Sequence, residues 1–268
     1  MRLLILGTSS TSGQGLPDTS KAWPWLAEAE LPAMLGEPVE LEHIRLFPIG
    51  PKAVPMAKAA IERANADVIV FSFGAYPCAV ATVSAKLGKR FGPKAQRWFR
   101  TAETKFDERT GSTTLKPRRM NNWVRAFGRK VIGIAPLASF EEVTGIQKEI
   151  VQALSQLEHT VVAVYCEPFI TRGASWGSPG ANDVLERDRE LISGLARRHH
   201  FLIADCRPEY FAAPNIDDLF LKDALHKSEA GHRLQADAFY RCLAAADSPY
   251  AKTMARALQS ATSESAAG

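Results

Sequence analysis

The sequence predicts a doubly wound α/β domain built on a parallel sheet, and three observations carry that prediction. Five short apolar runs are bounded by turn residues, helix-like stretches fill the gaps between them, and two of the runs lack the alternation of a half-exposed strand. The strands are predicted at Arg2–Leu6, Val39–Leu46, Asp67–Phe73, Thr160–Tyr165 and Phe201–Ala204. The third and fourth, VIVFSF and TVVAVY, read as central strands covered on both faces. Helices are predicted at Lys21–Leu35, interrupted at Pro24, and at Met56–Asn65, Ser139–Leu157, Asp183–Arg198 and Ser228–Ala245. The third of these opens with Ser139-Phe-Glu-Glu142, the spacing of a capping box. In the last, Leu234, Ala238 and Leu243 fall on roughly one face.

About ninety residues separate the third and fourth strands, far more than a crossover helix requires. The excess is read as an insertion at about 86–135. Gly88–Pro117 holds Phe91, Trp98, Phe99 and Phe106 among its basic residues, and Asn121–Ile134 carries Trp123, Phe127 and Val131 at helical spacing. Residues 1–258 are therefore expected to form a single domain with this insertion, and 259–268, rich in Ser and Ala, a frayed tail.

With 268 residues, 46% of them hydrophobic and 23% charged, the composition excludes disordered, collagen-like and coiled-coil chains. The net charge of +4 conceals an asymmetry: from Lys86 to Lys130 there are 14 Lys and Arg against three acids, a local +11 that leaves −7 for the rest. Cys78, Cys166, Cys206 and Cys242 are widely separated, with no metal-binding spacing, and read as free thiols of a reducing compartment. The apolar start Leu3–Leu6 is too short for a signal-peptide core, and no run approaches the ~20 residues needed to cross a bilayer. A cytoplasmic protein without a transmembrane segment is expected.

The first strand runs into Gly7-Thr8-Ser9-Ser10-Thr11-Ser12-Gly13-Gln14-Gly15, which matches neither GxxxxGK[ST] nor GxGxxG. Ser9 falls at the carboxyl end of the strand, where open α/β sheets gather functional groups. By itself it is a turn serine, and Ser10 and Ser12 rank below it as nucleophiles. Near the C-terminus, Asp223-Ala-Leu-His226 precedes a helix. An Asp three residues before a His can fold back to accept the imidazole Nδ1–H and leave Nε2 to take a serine proton; the alternative is a helix start with an incidental histidine. Gly50 follows the second strand and Gly74 the third, so backbone amides there could face an oxyanion. The remaining histidines read as structural: His199-His200 as a charged helix end, His43 and His159 without ligand partners at useful spacing, and His232 on the final helix.

Together these blocks resemble the SGNH/GDSL hydrolase superfamily over nearly the whole chain outside the insertion. Ile5-Leu6-Gly7-Thr8-Ser9 corresponds to the family's Gly-Asp-Ser block, Gly50 to its oxyanion glycine, Gly74-Ala75-Tyr76 to its Gly-x-Asn block, and Asp223 and His226 to its Asp-x-x-His. The resemblance implies a three-layer α/β/α, flavodoxin-like sandwich with a five-stranded parallel sheet and a large helical insertion between strands three and four. It implies a serine hydrolase for a carboxylic ester or thioester: Ser9 forms an acyl-enzyme, His226 is the general base, Asp223 orients it, and Ser9, Gly50 and Tyr76 bound the oxyanion hole. No cofactor or metal is called for.

Two residues depart from the family pattern. Thr8 stands where the family has Asp, and Tyr76 where it has the Asn whose amide enters the oxyanion hole. Losing one such donor costs on the order of 10²–10³ in turnover. Asn121, Asn122 and Asn182 are other amides in the chain. An O-acyltransferase on the same scaffold and a catalytically weak binding protein are the alternatives. The basic insertion reads either as a solvated face or as a lid that attracts a small ester substrate bearing an anionic group. No nucleic-acid motif accompanies it, so no nucleic-acid partner is expected, and the oligomeric state is not legible.

Overall fold

A computed structural model describes residues 1–46, 50, 52–92, 94, 97–98, 132–158, 160–166, 180–221, 226–245 and 247–267, without the side chains of 165–166 and 261–267. The strands β1 (Arg2–Gly7), β2 (Glu40–Arg45), β3 (Val68–Phe71), β6 (Val161–Cys166) and β7 (Leu202–Asp205) form one sheet in the order β2-β1-β3-β6-β7. Every neighbouring pair is parallel. This is the predicted sheet, with each strand within two residues of its expected bounds. All four residues of β3 are buried, as its unbroken apolar run implied.

Side-chain alternation along these strands feeds two separate cores. Leu4, Leu6, Ile69, Phe71, Val162 and Val164 face one layer with α2 (Ala53–Ala64), α5 (Phe140–Leu154) and α6 (Ala181–Arg198). Leu3, Ile5, Val68, Val70 and Ala163 face the other with α1 (Trp23–Leu35), α8 (Glu229–Leu243) and α9 (Ala251–Ala267). Fully burying each large apolar side chain contributes about 1.5–3 kcal/mol, so both faces must be covered, and the three-layer arrangement results. Glu30 of α1 ties the second layer together by accepting Arg233 Nη1 at 2.6 and 2.8 Å and the Tyr240 hydroxyl at 3.0 Å.

The predicted capping box closes α5: Ser139 Oγ accepts the Glu142 N–H at 3.1 Å, and Glu142 Oε2 accepts the Ser139 N–H at 2.7 Å. Pro24 does not interrupt α1. The helix begins at Trp23, and a proline in the first turn gives up no intrahelical bond. A short helix α7 (Arg207–Ala212) was not foreseen. Nor was α9, which docks through fully buried Met254 and through Leu258, and whose backbone stays helical to Ala267, where a frayed tail was expected.

After β3 come α3 (Tyr76–Ala79), β4 (Ala81–Thr82) and α4 (Val83–Phe91). β4 pairs antiparallel with β5 (Ala135–Pro136), so the two ends of the insertion are brought side by side. Within it Phe91 and Trp98 are 63% and 70% exposed. The expected stripe of Trp123, Phe127 and Val131, Asn121 and Asn122, and most of the basic residues lie outside the described residues, as does His159. Cys78, Cys206 and Cys242 are buried free thiols. Among the described residues no helix is long and apolar enough to cross a membrane.

Candidate active site

Both neighbouring strands hold β1 at its carboxyl end: the Leu46 N–H donates to Gly7 O at 2.8 Å and the Ser72 N–H to Leu6 O at 2.8 Å. The chain then enters a tight turn in which the Thr11 N–H donates to Thr8 O at 3.3 Å and Ser12 Oγ to Ser9 O at 3.1 Å. Three serines lie here, and their bonding separates them. Ser10 is buried and shares a 3.1 Å hydrogen bond with Thr8 Oγ1, and Ser12 is spent on the Ser9 carbonyl. Ser9 is half-buried, and among the described residues its hydroxyl has no partner. Of the three, it is the one whose hydroxyl takes no part in holding the turn among the described residues.

A hydroxyl–imidazole pair ties this turn to β2. Thr11 Oγ1 donates to Thr8 O at 2.9 Å and lies 2.7 Å from His43 Nε2 on β2. The single hydroxyl proton goes to Thr8, so Nε2 carries the ring proton and donates. Burial, helped by Arg45, pushes the His43 pKa down to about 4, which keeps the imidazole neutral, and Trp25 packs edge-on at 5.4 Å. A histidine whose folded pKa is depressed contributes stability that is complete above its unfolded value of about 6.5 and lost as pH falls through the folded one. Chemical denaturation between pH 7 and 4 is expected to show this loss in the wild type, and His43→Gln to lack that part of it.

Gly7 shows how closely the turn is packed. A Cβ on Gly7 would lie 2.1 Å from Thr11 Oγ1 and 2.5 Å from Thr11 Cγ2. Gly7→Ala is expected to displace Thr11, release Thr8 and His43, and destabilise by about 1–3 kcal/mol, measured by urea denaturation.

His226 lies half-buried in a hairpin ahead of α8. The Leu221 N–H donates to His226 O at 2.7 Å, the Ser228 N–H to Leu219 O at 3.0 Å, and Phe220 and Lys227 form an antiparallel bridge. Ser228 caps α8 by accepting the Gly231 N–H at 3.2 Å and anchors it by donating to Asp218 O at 2.6 Å. Gly231 is required, because a Cβ there would meet Leu219 O at 2.2 Å. Asp223 lies outside the described residues.

Two contacts bring the hairpin to the sheet edge that bears Ser9. Leu221 Cδ1 is 2.7 Å from where a Cβ on Gly15 would stand, so the hairpin packs directly on the Ser9 loop. Lys227 is buried, with Nζ 5.7 Å from the centre of the Tyr76 ring, which joins the hairpin to the loop after β3. Half-buried Tyr76 packs on the first core rather than standing free. Buried His232 accepts the Trp23 N–H at 3.4 Å and fixes the start of α8 to the start of α1.

Gly50 follows β2 at the same edge, its carbonyl accepting the Ala53 N–H at 3.0 Å, and among the described residues nothing lies within 4 Å of a Cβ placed there. Asn182 is exposed at the start of α6, and the His199 ring lies tilted against Phe201 at 5.6 Å. Among the described residues no three His, Cys, Asp or Glu form a metal-holding group.

The five-stranded parallel fold is shared with solved structures of esterases and lipases. The chain is similar to Axe2, an acetylxylan esterase from Geobacillus stearothermophilus, with TM-score 0.55 and 15% identity over 92% of this chain and 95% of that one. It is also similar to a putative GDSL-like lipase from Parabacteroides merdae, with TM-score 0.55 and 12% identity over 90% and 94%. The psychrotrophic esterase EstA from Pseudoalteromonas sp., inhibited by monoethylphosphonate, gives TM-score 0.51 and 13% identity over 90% and 96%. No family model and no curated protein sequence matches the chain. At these identities the likeness is one of fold, and it agrees with the resemblance read from the motifs.

Proposed function

We propose that the chain is a serine ester hydrolase of the SGNH/GDSL type. The observation that carries this reading is the Ser9 hydroxyl at the end of β1, without a partner among the described residues, in a loop packed against the His226 hairpin. His226 takes the Ser9 proton as Oγ attacks the ester carbonyl. The tetrahedral intermediate collapses, expels the alcohol protonated by His226, and leaves an acyl-enzyme that water releases by the same steps in reverse. Asp223 accepts the imidazole Nδ1–H and supports the positive charge that forms. The Ser9 and Gly50 amides face the oxyanion, with Tyr76 in the loop alongside. Three buried free thiols support a reducing, cytoplasmic setting.

The +11 segment supports a substrate with an anionic group, drawn in by the field of the insertion. Axe2 is an acetylxylan esterase, so acetyl esters are the first substrates to try. The test is a panel of neutral and anionic p-nitrophenyl esters together with acyl-CoAs, at low and high salt, on wild type and Ser9→Ala. Hydrolysis that depends on Ser9, with salt slowing only the anionic esters, is the expected result. Turnover unchanged in Ser9→Ala overturns the assignment, and equal salt response removes the role given to the insertion.

A further inference from the structure

A buried polar pair that belongs to none of the sequence motifs lies under the loop following β3. Gln147 of α5 is fully buried, and its Nε2 donates both to Phe73 O at 2.8 Å and to Asp188 Oδ1 at 2.7 Å. Asp188 of α6 is 6% exposed, and its Oδ2 accepts the Ala75 N–H at 2.8 Å. Two side chains from two helices, bonded to each other, thus seize one carbonyl and one amide of the same loop. Between the clamped residues Gly74 is half-buried and makes no hydrogen bond among the described residues, and Tyr76 follows directly.

This arrangement is costly in isolation. Among the described residues the carboxylate is buried without a bonded cation, and Gln147 Oε1 is a buried acceptor without a partner, a state that native structures rarely tolerate. Neither group is needed to build the sheet. What they fix is the loop at the carboxyl end of β3, the strand whose Ser72 N–H bonds Leu6 O and which therefore adjoins the Ser9 turn.

We propose that Asp188 and Gln147 are positioning residues of the ester-hydrolysing site, clamping residues 73–75 so that Gly74 and Tyr76 are held in one place beside Ser9. The proposal rests on the serine-hydrolase reading. It is the ionised clamp that works, because both Asp188 oxygens face N–H donors. A proton on either oxygen must find an acceptor, and the one at hand is Gln147 Oε1. Turning that amide over withdraws its N–H from Phe73.

Burial raises the Asp188 pKa to about 6, against the lowering effect of its two hydrogen bonds, so the switch falls in an accessible range. The Cys78 thiol of α3 is coupled to it, pushed up to about 12 chiefly by burial and next by Asp188, and Cys78 in turn feels Glu141 and Glu142 at the start of α5. Asp205 ends β7 and accepts the Arg207 N–H at 2.9 Å. On α6 itself, Arg189 pairs with Glu186 at 2.6 Å and Arg187 lies over the Phe140 ring at 4.6 Å.

Asp188→Asn keeps the shape but cannot accept from both donors. It is expected to raise amide hydrogen exchange of segment 73–79 at least about tenfold while β1 and β3 keep their protection. Turnover is expected to fall about ten- to a hundredfold with KM little changed. The rate of phosphonate labelling at Ser9 should fall in parallel. In the wild type, exchange of this segment, corrected for intrinsic pH dependence, rises as pH drops below about 6, and in Asp188→Asn it is high throughout. Unchanged exchange in the variant overturns the clamp, and raised exchange with wild-type turnover and labelling overturns the positioning role. Folded wild type that neither labels nor hydrolyses any ester overturns the hydrolase reading instead, and the exchange data then decide the clamp alone.

Discussion

Ser9→Ala is expected to lower kcat for a cleavable ester by a factor on the order of 10⁴ or more, the loss seen when an acyl-forming nucleophile is removed from a site whose other parts remain. The fold is expected to survive. Ser9 serves the turn through its carbonyl, which accepts from Ser12 Oγ and the Gln14 N–H, and alanine keeps that carbonyl. Its hydroxyl has no partner among the described residues, so stability should change by no more than about 0.5 kcal/mol. Loss of activity together with loss of the cooperative unfolding transition would instead mean that Ser9 is structural.

His226→Ala is expected to cost a comparable factor, about 10⁴, because without the imidazole neither the attack of Ser9 nor the departure of the alcohol has a proton carrier. The hairpin should persist, since its ladder uses the main chain of His226, Leu221, Leu219 and Ser228. Kinetically, both kcat and the rate of phosphonate labelling should collapse while KM moves little. A variant that labels at the wild-type rate would place the general base elsewhere. Removing the base and the nucleophile together should cost little more than removing either one, because the two act as a unit.

The parts of this structure that were legible in the sequence are those written locally. Strand runs announce themselves by apolar period, so β3 and β6 were recognisable as central, and Ser139 with Glu142 declares a helix start within four residues. Ser9 and His226 were findable because each belongs to a short block placed at a strand end or a helix start. Asp188 and Gln147 carry no such mark. They meet each other and the β3 loop across 41, 74 and 113 residues of chain, a relation that only the packed helices create. His43 was set aside for lack of partners at ligand spacing, and its partner Thr11 lies 32 residues away on the neighbouring element. α9 was missed because a Ser- and Ala-rich end resembles a tail. Its docking residues Met254 and Leu258 lie ahead of that end, and alanine favours helix once the first turns are anchored.

The proposed chemistry is a covalent acyl-enzyme on Ser9 Oγ with His226 as its base. The most direct test is peptide mass spectrometry of the intact, folded protein after reaction with a monoalkyl fluorophosphonate. One adduct is expected, on Ser9, formed quickly in the wild type, slowly in His226→Ala and never in Ser9→Ala. An adduct on Ser10 or Ser12, or none at all on protein shown to be folded, would contradict it.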